Sequence, residues 1–318
     1  MRRRSQVVRQ RSAKPSSAGS IPAVASSFPV PEHFSFTSTV ESHGWYLLAP
    51  FRWSRAECVL RRREAFGEIE ISCDDDVINV RVVRASGAPS ERRAGGAHHT
   101  TTTTIDELRA CITRMFQLHV DTSEFIELAR ASPAHTWVER AGFGRLLCGA
   151  TLWEDAVKII ATTNTTWKQT VRMIDLLVTK CGGVFPTQEQ LARFTAEELQ
   201  RDCRLGYRAK SIHALASRDL SNVPESTEEK YAFYLSLPGI GPYGAAHLLA
   251  MDGHHDFIAV DTEFRRFVRE RYHRGRRVSD AAMLRRYRKW GRWKYLAYWS
   301  ESWRGVAEAL QPGPGEDK

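Results

Sequence analysis

The chain has no CxxC pair, no HExxH pattern and no apolar run near the roughly 18 residues that a membrane helix takes. Its six cysteines, at 58, 73, 111, 148, 181 and 203, never cluster. That spacing excludes a disulfide-framed secreted module and a thiolate metal centre, and reads as reduced, buried thiols. The adjacent pairs His98-His99 and His254-His255 lack the ligand neighbours of a zinc site. Clustered acids are scarce as well, and the one run, Asp74 to Asp76, has the look of a turn. Acid is the minority charge: 37 Asp and Glu against 46 Lys and Arg give a formal net charge of +9. The excess favours a polyanionic partner. It is uneven, since Arg265 to Lys294 hold 13 basic residues against Glu270 and Asp280. These absences together describe an intracellular protein with no membrane segment.

What is present divides the 318 residues into unlike parts. Positions 1–30, with Arg mixed among Ser, Pro and Gly, read as a disordered basic arm. Positions 31–103 read as an antiparallel sheet domain: "FSFTSTV", "GWYLLAP", "EIEISCD" and "VINVRVVR" carry β-branched and aromatic residues between turn formers. A breaker-rich loop, "SGAPSERRAGGAHHTTTT", follows. Positions 104–310 are a succession of short helical patterns punctuated by Gly and Pro, with a helical hairpin at 227–252, and 311–318 is a frayed tail. The fold class is therefore α+β, mainly α with an N-terminal antiparallel β domain.

The sharpest local signal is Leu237-Pro238-Gly239-Ile240-Gly241-Pro242. Too few residues separate two amphipathic patterns for anything but a tight turn. Pro242 suits the first position of the second helix, and Gly239 and Gly241 permit unusual torsions and leave amides bare. Bare amides at a helix N-terminus attract an anion, for which a basic protein's natural supply is nucleic-acid phosphate. The plainer alternative is a compact turn that packs Ile240 inward. Eighteen residues beyond Tyr243 stands Asp261, at the start of "DTEFRRFVRERY". It is either only a helix cap or a cap that also holds its carboxylate toward a cleft.

With those residues the chain resembles the helix-hairpin-helix DNA glycosylase superfamily, nearest to its 8-oxoguanine and AlkA-type branches. The hairpin at Leu237 to Gly241 and the spacing to Asp261 carry the resemblance, as do "IIATTNTT" and "LGYRAK" and, more weakly, the sheet. It implies two helical subdomains around a cleft, double-stranded DNA containing a damaged base as partner, and a monomer acting in base excision repair. It implies that Asp261 is catalytic, and that Asn164, Tyr207 and Arg208 enter the duplex, with Asn and Arg on the unpaired partner base and Tyr as wedge. Gly239, Ile240, Gly241 and Tyr243 would lie on DNA, and the carbonyls of Leu235, Leu237 and Ile240 would hold a structural K+ or Na+. No other cofactor is implied. The family's iron-sulfur cluster has no ligands here, since cysteine ends at Cys203.

One position departs from the family's strand-cutting members. Where they carry an imine-forming lysine, this chain has Tyr243, and a phenol cannot form that imine. The expectation is a monofunctional DNA N-glycosylase in which Asp261 stabilises the positive charge that develops on the sugar and orients water. Two alternatives stay open: a lesion-binding protein without catalysis, and a glycosylase/lyase with a displaced lysine. For the base pocket, Trp153, Trp167, Trp290, Trp293, Tyr295, Tyr298 and Trp299 are candidates, most of them at core-like helical spacing. His213 and His247 could donate to a leaving base, although a histidine on a helix face more often finds a structural partner.

Overall fold

The computed structural model describes residues 25–83 and 105–310, with side chains at 26–83 and 106–304. Most of the expected arm, the loop at 86–103 and the tail at 311–318 lie outside the described residues. The sheet is formed by β1 (Ala25–Pro29), β2 (Phe51–Ser54), β3 (Val59–Glu64), β4 (Gly67–Asp74) and β5 (Val77–Val83), all antiparallel, in the order β1-β5-β4-β3-β2. Period-two alternation sorts its faces. Val80 opposes Ile71, Ile71 opposes Leu60 and Leu60 opposes Trp53, a row that faces the core. On the other face Arg61, Glu70 and Arg81 stand abreast, and both arginines pair with Glu70.

Two stretches expected as strands are helical. "FSFTSTV" contains α1 (Phe36–Val40), because Ser35 caps it: its Oγ accepts from the Ser38 amide at 3.3 Å, and the Thr39 hydroxyl donates to the Ser35 carbonyl at 2.8 Å. Local capping overrides the β propensity of its threonines and valine. "GWYLLAP" forms a 3-10 turn over Gly44–Leu47. Conversely, the sheet begins at Ala25, inside the expected arm.

The remainder is helical: α2 (Ile105–Met115), α3 (Ser123–Arg130), α4 (Trp137–Ala141), α5 (Leu152–Thr162), α6 (Trp167–Lys180), α7 (Gln188–Ala192) and α8 (Ala196–Asp202). Then come α9 (Arg208–Ala216), α10 (Thr227–Leu235), α11 (Pro242–Met251), α12 (Thr262–His273), α13 (Asp280–Arg285), a 3-10 stretch at Arg288–Trp293, and α14 (Lys294–Leu310). Two apolar clusters hold these together. One runs from the sheet through α2 and α5 to α11; the other joins α3, α4, α12, α13 and the first turns of α14. Ile258 and Trp299 pack against both, so the clusters meet at the segment before α12. No helix among the described residues is long and apolar enough to cross a membrane.

The sheet is tied to α5 by charge as well as by apolar contact. Arg62, on the core face of β3, makes a two-pronged bond to Glu154 at 2.8 and 2.7 Å, and Lys158 donates to the same carboxylate at 2.6 Å. All three side chains are buried. Burial alone would raise the Glu154 pKa; the two cations outweigh it and hold the group at about 2.

Candidate active site

The hairpin is α10, a tight turn and α11. Gly239 sits at φ +81°, a region closed to most side chains, and a Cβ there would meet the Ser211 Cβ at 2.6 Å. Gly241 is different from the expectation: its φ of −95° suits any residue, and a Cβ there would meet nothing within 4 Å. Its bareness leaves space before the α11 N-terminus rather than relieving strain. Pro242 is the first residue of α11, as expected, while Leu237 and Ile240 are buried beneath the turn. The Leu237 carbonyl already accepts from the Ile240 amide at 3.1 Å. Gly244 lets α11 lie against α5, since a Cβ would meet Ile159 Cγ2 at 2.9 Å. Replacing Gly239 with Ala should cost about 1–2 kcal/mol from the torsion alone, more with the Ser211 clash. Thermal unfolding would read the loss; a melting temperature equal to that of the unaltered chain would contradict the turn geometry.

Asp261 is the N-cap of α12, and its Oδ1 accepts from the Phe264 amide at 2.7 Å. The carboxylate is half-buried and makes no ion pair among the described residues. Burial raises its pKa, against the pull of nearby backbone amides. Three phenols feel its charge. Tyr243 is pushed up to about 12 by burial and then by Asp261, while Tyr295 and Tyr298 are raised by burial first, with Asp261 among the lesser causes. All three therefore keep their protons at neutral pH.

Behind Tyr243 lies an aromatic nest. Tyr243 stacks on His247 one helical turn away, with centroids 5.9 Å apart. His43 and Trp45, from the 3-10 turn after α1, approach His247 at 5.4 Å each, and Trp299 of α14 at 5.8 Å. The Trp45 indole donates to Asp155 at 2.9 Å, and Asp155 is also held by Arg114 at 2.5 Å and the Gly149 amide at 2.7 Å. Nothing local in the sequence marks His43 or Trp45 as part of a site: Trp45 lies in the expected strand "GWYLLAP" and His43 just before it. Of the expected pocket aromatics, Trp153 is buried with its indole on the Pro186 carbonyl, and Trp290 and Trp293 belong to the second apolar cluster. Trp167 is partly exposed beside Gly44.

Asn164, Tyr207 and Arg208 come together between α5 and α9. Asn164 takes φ +46° between α5 and α6 and is exposed, and its side-chain amide donates to the Tyr207 hydroxyl at 3.1 Å. Tyr207 is 57% exposed, a large ring presented to solvent. Arg208, expected to reach a partner base, is buried: its guanidinium donates to the carbonyls of Thr163 and Asn164, at 3.0 Å from Nε and 3.1 Å from Nη2. It holds the Asn164 turn in place. The C-terminal basic run is partly paired, with Arg265 on Asp280, Arg266 on Glu263 and Glu270, and Arg292 on Glu124. Arg271, Arg274, Arg276 and Arg277 remain exposed and form no ion pair among the described residues.

Residues 157–292 match the family model described as HhH-GPD superfamily base excision DNA repair protein. The chain thus carries an HhH-GPD domain, within which the hairpin, Asp261, Asn164, Tyr207 and Arg208 all fall. Among solved structures, the chain is similar to MBOgg1 in complex with a low-affinity DNA ligand, at 18% identity and a TM-score of 0.68, over 92% of this chain and 98% of that one. It is similar to a 3-methyladenine DNA glycosylase from Archaeoglobus fulgidus, at 18% identity and TM-score 0.66, over 87% and 97%. A Clostridium acetobutylicum 8-oxoguanine glycosylase/lyase, solved with double-stranded DNA containing cytosine opposite 8-oxoguanine, gives 15% identity and TM-score 0.65 over 88% and 94%. At these identities the likeness is one of fold alone. No curated protein matches the chain in sequence.

Proposed function

We propose that the protein is a monofunctional DNA glycosylase, hydrolysing the N-glycosidic bond of a damaged base turned out of double-stranded DNA. The observation that carries this reading is Asp261: a half-buried carboxylate, capped in place, with no ion-pair partner among the described residues. Breaking the C1'–N bond builds positive charge on the sugar, and a fixed carboxylate in a dry site stabilises that charge in the transition state more than in the ground state. Tyr243, a protonated phenol where a lyase needs an amine, supports hydrolysis over imine formation. Lys158 is no replacement, being buried against Glu154.

In this reading the hairpin amides from Gly239 to Gly241 and the α11 N-terminus take a backbone phosphate, with Ile240 and Tyr243 alongside the strand. In this reading the carbonyls of Leu235, Leu237 and Ile240 would hold a K+ or Na+ ion. Exposed Tyr207 wedges into the gap left by the extruded nucleotide, and Asn164 faces the orphaned base. Arg208 acts from behind by fixing Asn164, since reaching a base would require it to give up the Thr163 carbonyl. The protein would bind as a monomer. Single-turnover incubation with duplexes carrying oxidised, alkylated and deaminated bases tests the proposal: base release with strand breaks only after alkali is the expected result. Breaks without alkali, trapped by borohydride, would make it a lyase, and tight lesion binding without release would make it a sensor.

A further inference from the structure

His43 and His247 each keep one buried ring nitrogen without a hydrogen-bond partner, Nδ1 of the first and Nε2 of the second. Unpaired buried polar atoms are costly and call for an explanation. The two rings are 2% and 1% exposed, and their centroids lie 5.4 Å apart in the nest behind Tyr243. Burial, reinforced at His43 by His247, lowers both pKa values, that of His247 to about 4, so both imidazoles are neutral at neutral pH.

Their neighbours settle which nitrogen carries the proton. His43 Nε2 lies 2.7 Å from the Leu147 carbonyl oxygen, which can only accept. The proton is therefore on Nε2, and Nδ1 presents a lone pair. His247 Nδ1 lies 2.5 Å from the Tyr295 hydroxyl, a phenol that keeps its proton and makes no other hydrogen bond among the described residues. The phenol donates to Nδ1, and His247 Nε2–H is left as a donor. One unspent acceptor and one unspent donor thus belong to neighbouring rings, with Trp45 against His43 and Trp299 against His247.

We propose that the His43–His247 pair reads the edge of the extruded base, and that the edge it fits is a lactam, an N–H next to a C=O. This rests on the glycosylase reading above and names its substrate class. Oxidation places a lactam on the five-membered ring of a purine, and deamination places one on cytosine or adenine. The base N–H donates to His43 Nδ1, and the base oxygen accepts from His247 Nε2–H. An alkylated adenine such as 3-methyladenine has no lactam edge, and its positive charge would meet the N–H of His247 unfavourably. The pair also supplies what a neutral leaving base needs. As the C1'–N bond breaks, its electron pair goes to the base, whose oxygen gathers charge against the His247 N–H. Water forms the new C1'–O bond and gives up one proton, and the base takes one up.

The test is single-turnover release from matched duplexes carrying 8-oxoguanine, hypoxanthine, uracil or 3-methyladenine. It uses the unaltered chain, His43→Phe, His247→Phe and His247→Gln, with melting temperature and affinity for an abasic-site duplex as controls. The expected result is that a lactam base is released faster than 3-methyladenine, that each Phe variant slows it about 10- to 100-fold at unchanged abasic-site affinity, and that His247→Gln, with an N–H restored, recovers part of the rate. If the Phe variants do not fold, the unaltered chain decides: the preferred lactam base should be released about 10- to 100-fold faster than its N-methylated form, which keeps the carbonyl but has no N–H. Release of 3-methyladenine alone, equal rates for folded Phe variants, or indifference to N-methylation overturns the lactam assignment and leaves the glycosylase reading standing. No release from any duplex removes both.

Discussion

Asp261→Asn should lower base release by about 100-fold or more while duplex affinity holds and the melting temperature stays level or rises. Asn caps a helix as well as Asp does, so the Phe264 amide keeps its partner and α12 keeps its start. The charge alone disappears. Burial holds the Asp261 carboxyl above the usual aspartate range, so the folded chain takes a proton more readily than the unfolded one. Ionisation at neutral pH therefore costs stability, and that cost is relieved as pH falls through the raised pKa. Activity moves the opposite way, since the carboxylate must be ionised to stabilise the sugar cation, so its acid limb should lie at higher pH than an ordinary aspartate would give. Rates from single-turnover assays across pH, set beside melting curves of both chains, decide the matter. A variant that loses activity only because it unfolds would show a lower melting temperature and would contradict this account.

Glu154→Ala should cost about 3–5 kcal/mol of stability, because it takes the ion-pair partner from buried Lys158 and leaves buried Arg62 with only the partly exposed Glu64. The unaltered cluster has a matching pH signature. Glu154 titrates at about 2 in the folded chain against an ordinary 4.5, so its contribution is complete above about 4.5 and is lost as pH falls toward about 2. Chemical denaturation at neutral pH, repeated on the acid side, measures both. Replacing all three groups with apolar residues of similar size should restore much of the loss. If Glu154→Ala unfolds at the same denaturant concentration as the unaltered chain, the cluster is not holding the sheet to α5.

How much of this was legible in the sequence depended on whether the signal was local. Asp261 and Pro242 mark helix starts by position alone, and both are where the pattern placed them. Strands β4 and β5 show their alternation openly, "EIEIS" and "VINV". Strand β3 hides its own, because three consecutive arginines mask the fact that Arg62 points inward to Glu154. Strand β2 was concealed by its brevity. The long pattern from Leu152 to Lys180 breaks at Asn164, whose positive φ gives no sign among the threonines around it. The aromatic nest was out of reach of any window, since positions 43, 247 and 299 meet only after the sheet, the hairpin and α14 have docked.

The buried cluster on α5 also sets where this chain can be cut. A fragment confined to the matched residues 157–292 would keep Lys158 yet discard Glu154 and Arg62, turning a neutralised cation into an orphan in the middle of an apolar wall. It would lose Trp45 and the Asp155 that aims it, and Tyr295 and Trp299 from the other side. The stretch that matches the family model is therefore shorter than the smallest piece that could be made, purified and expected to behave as this protein does.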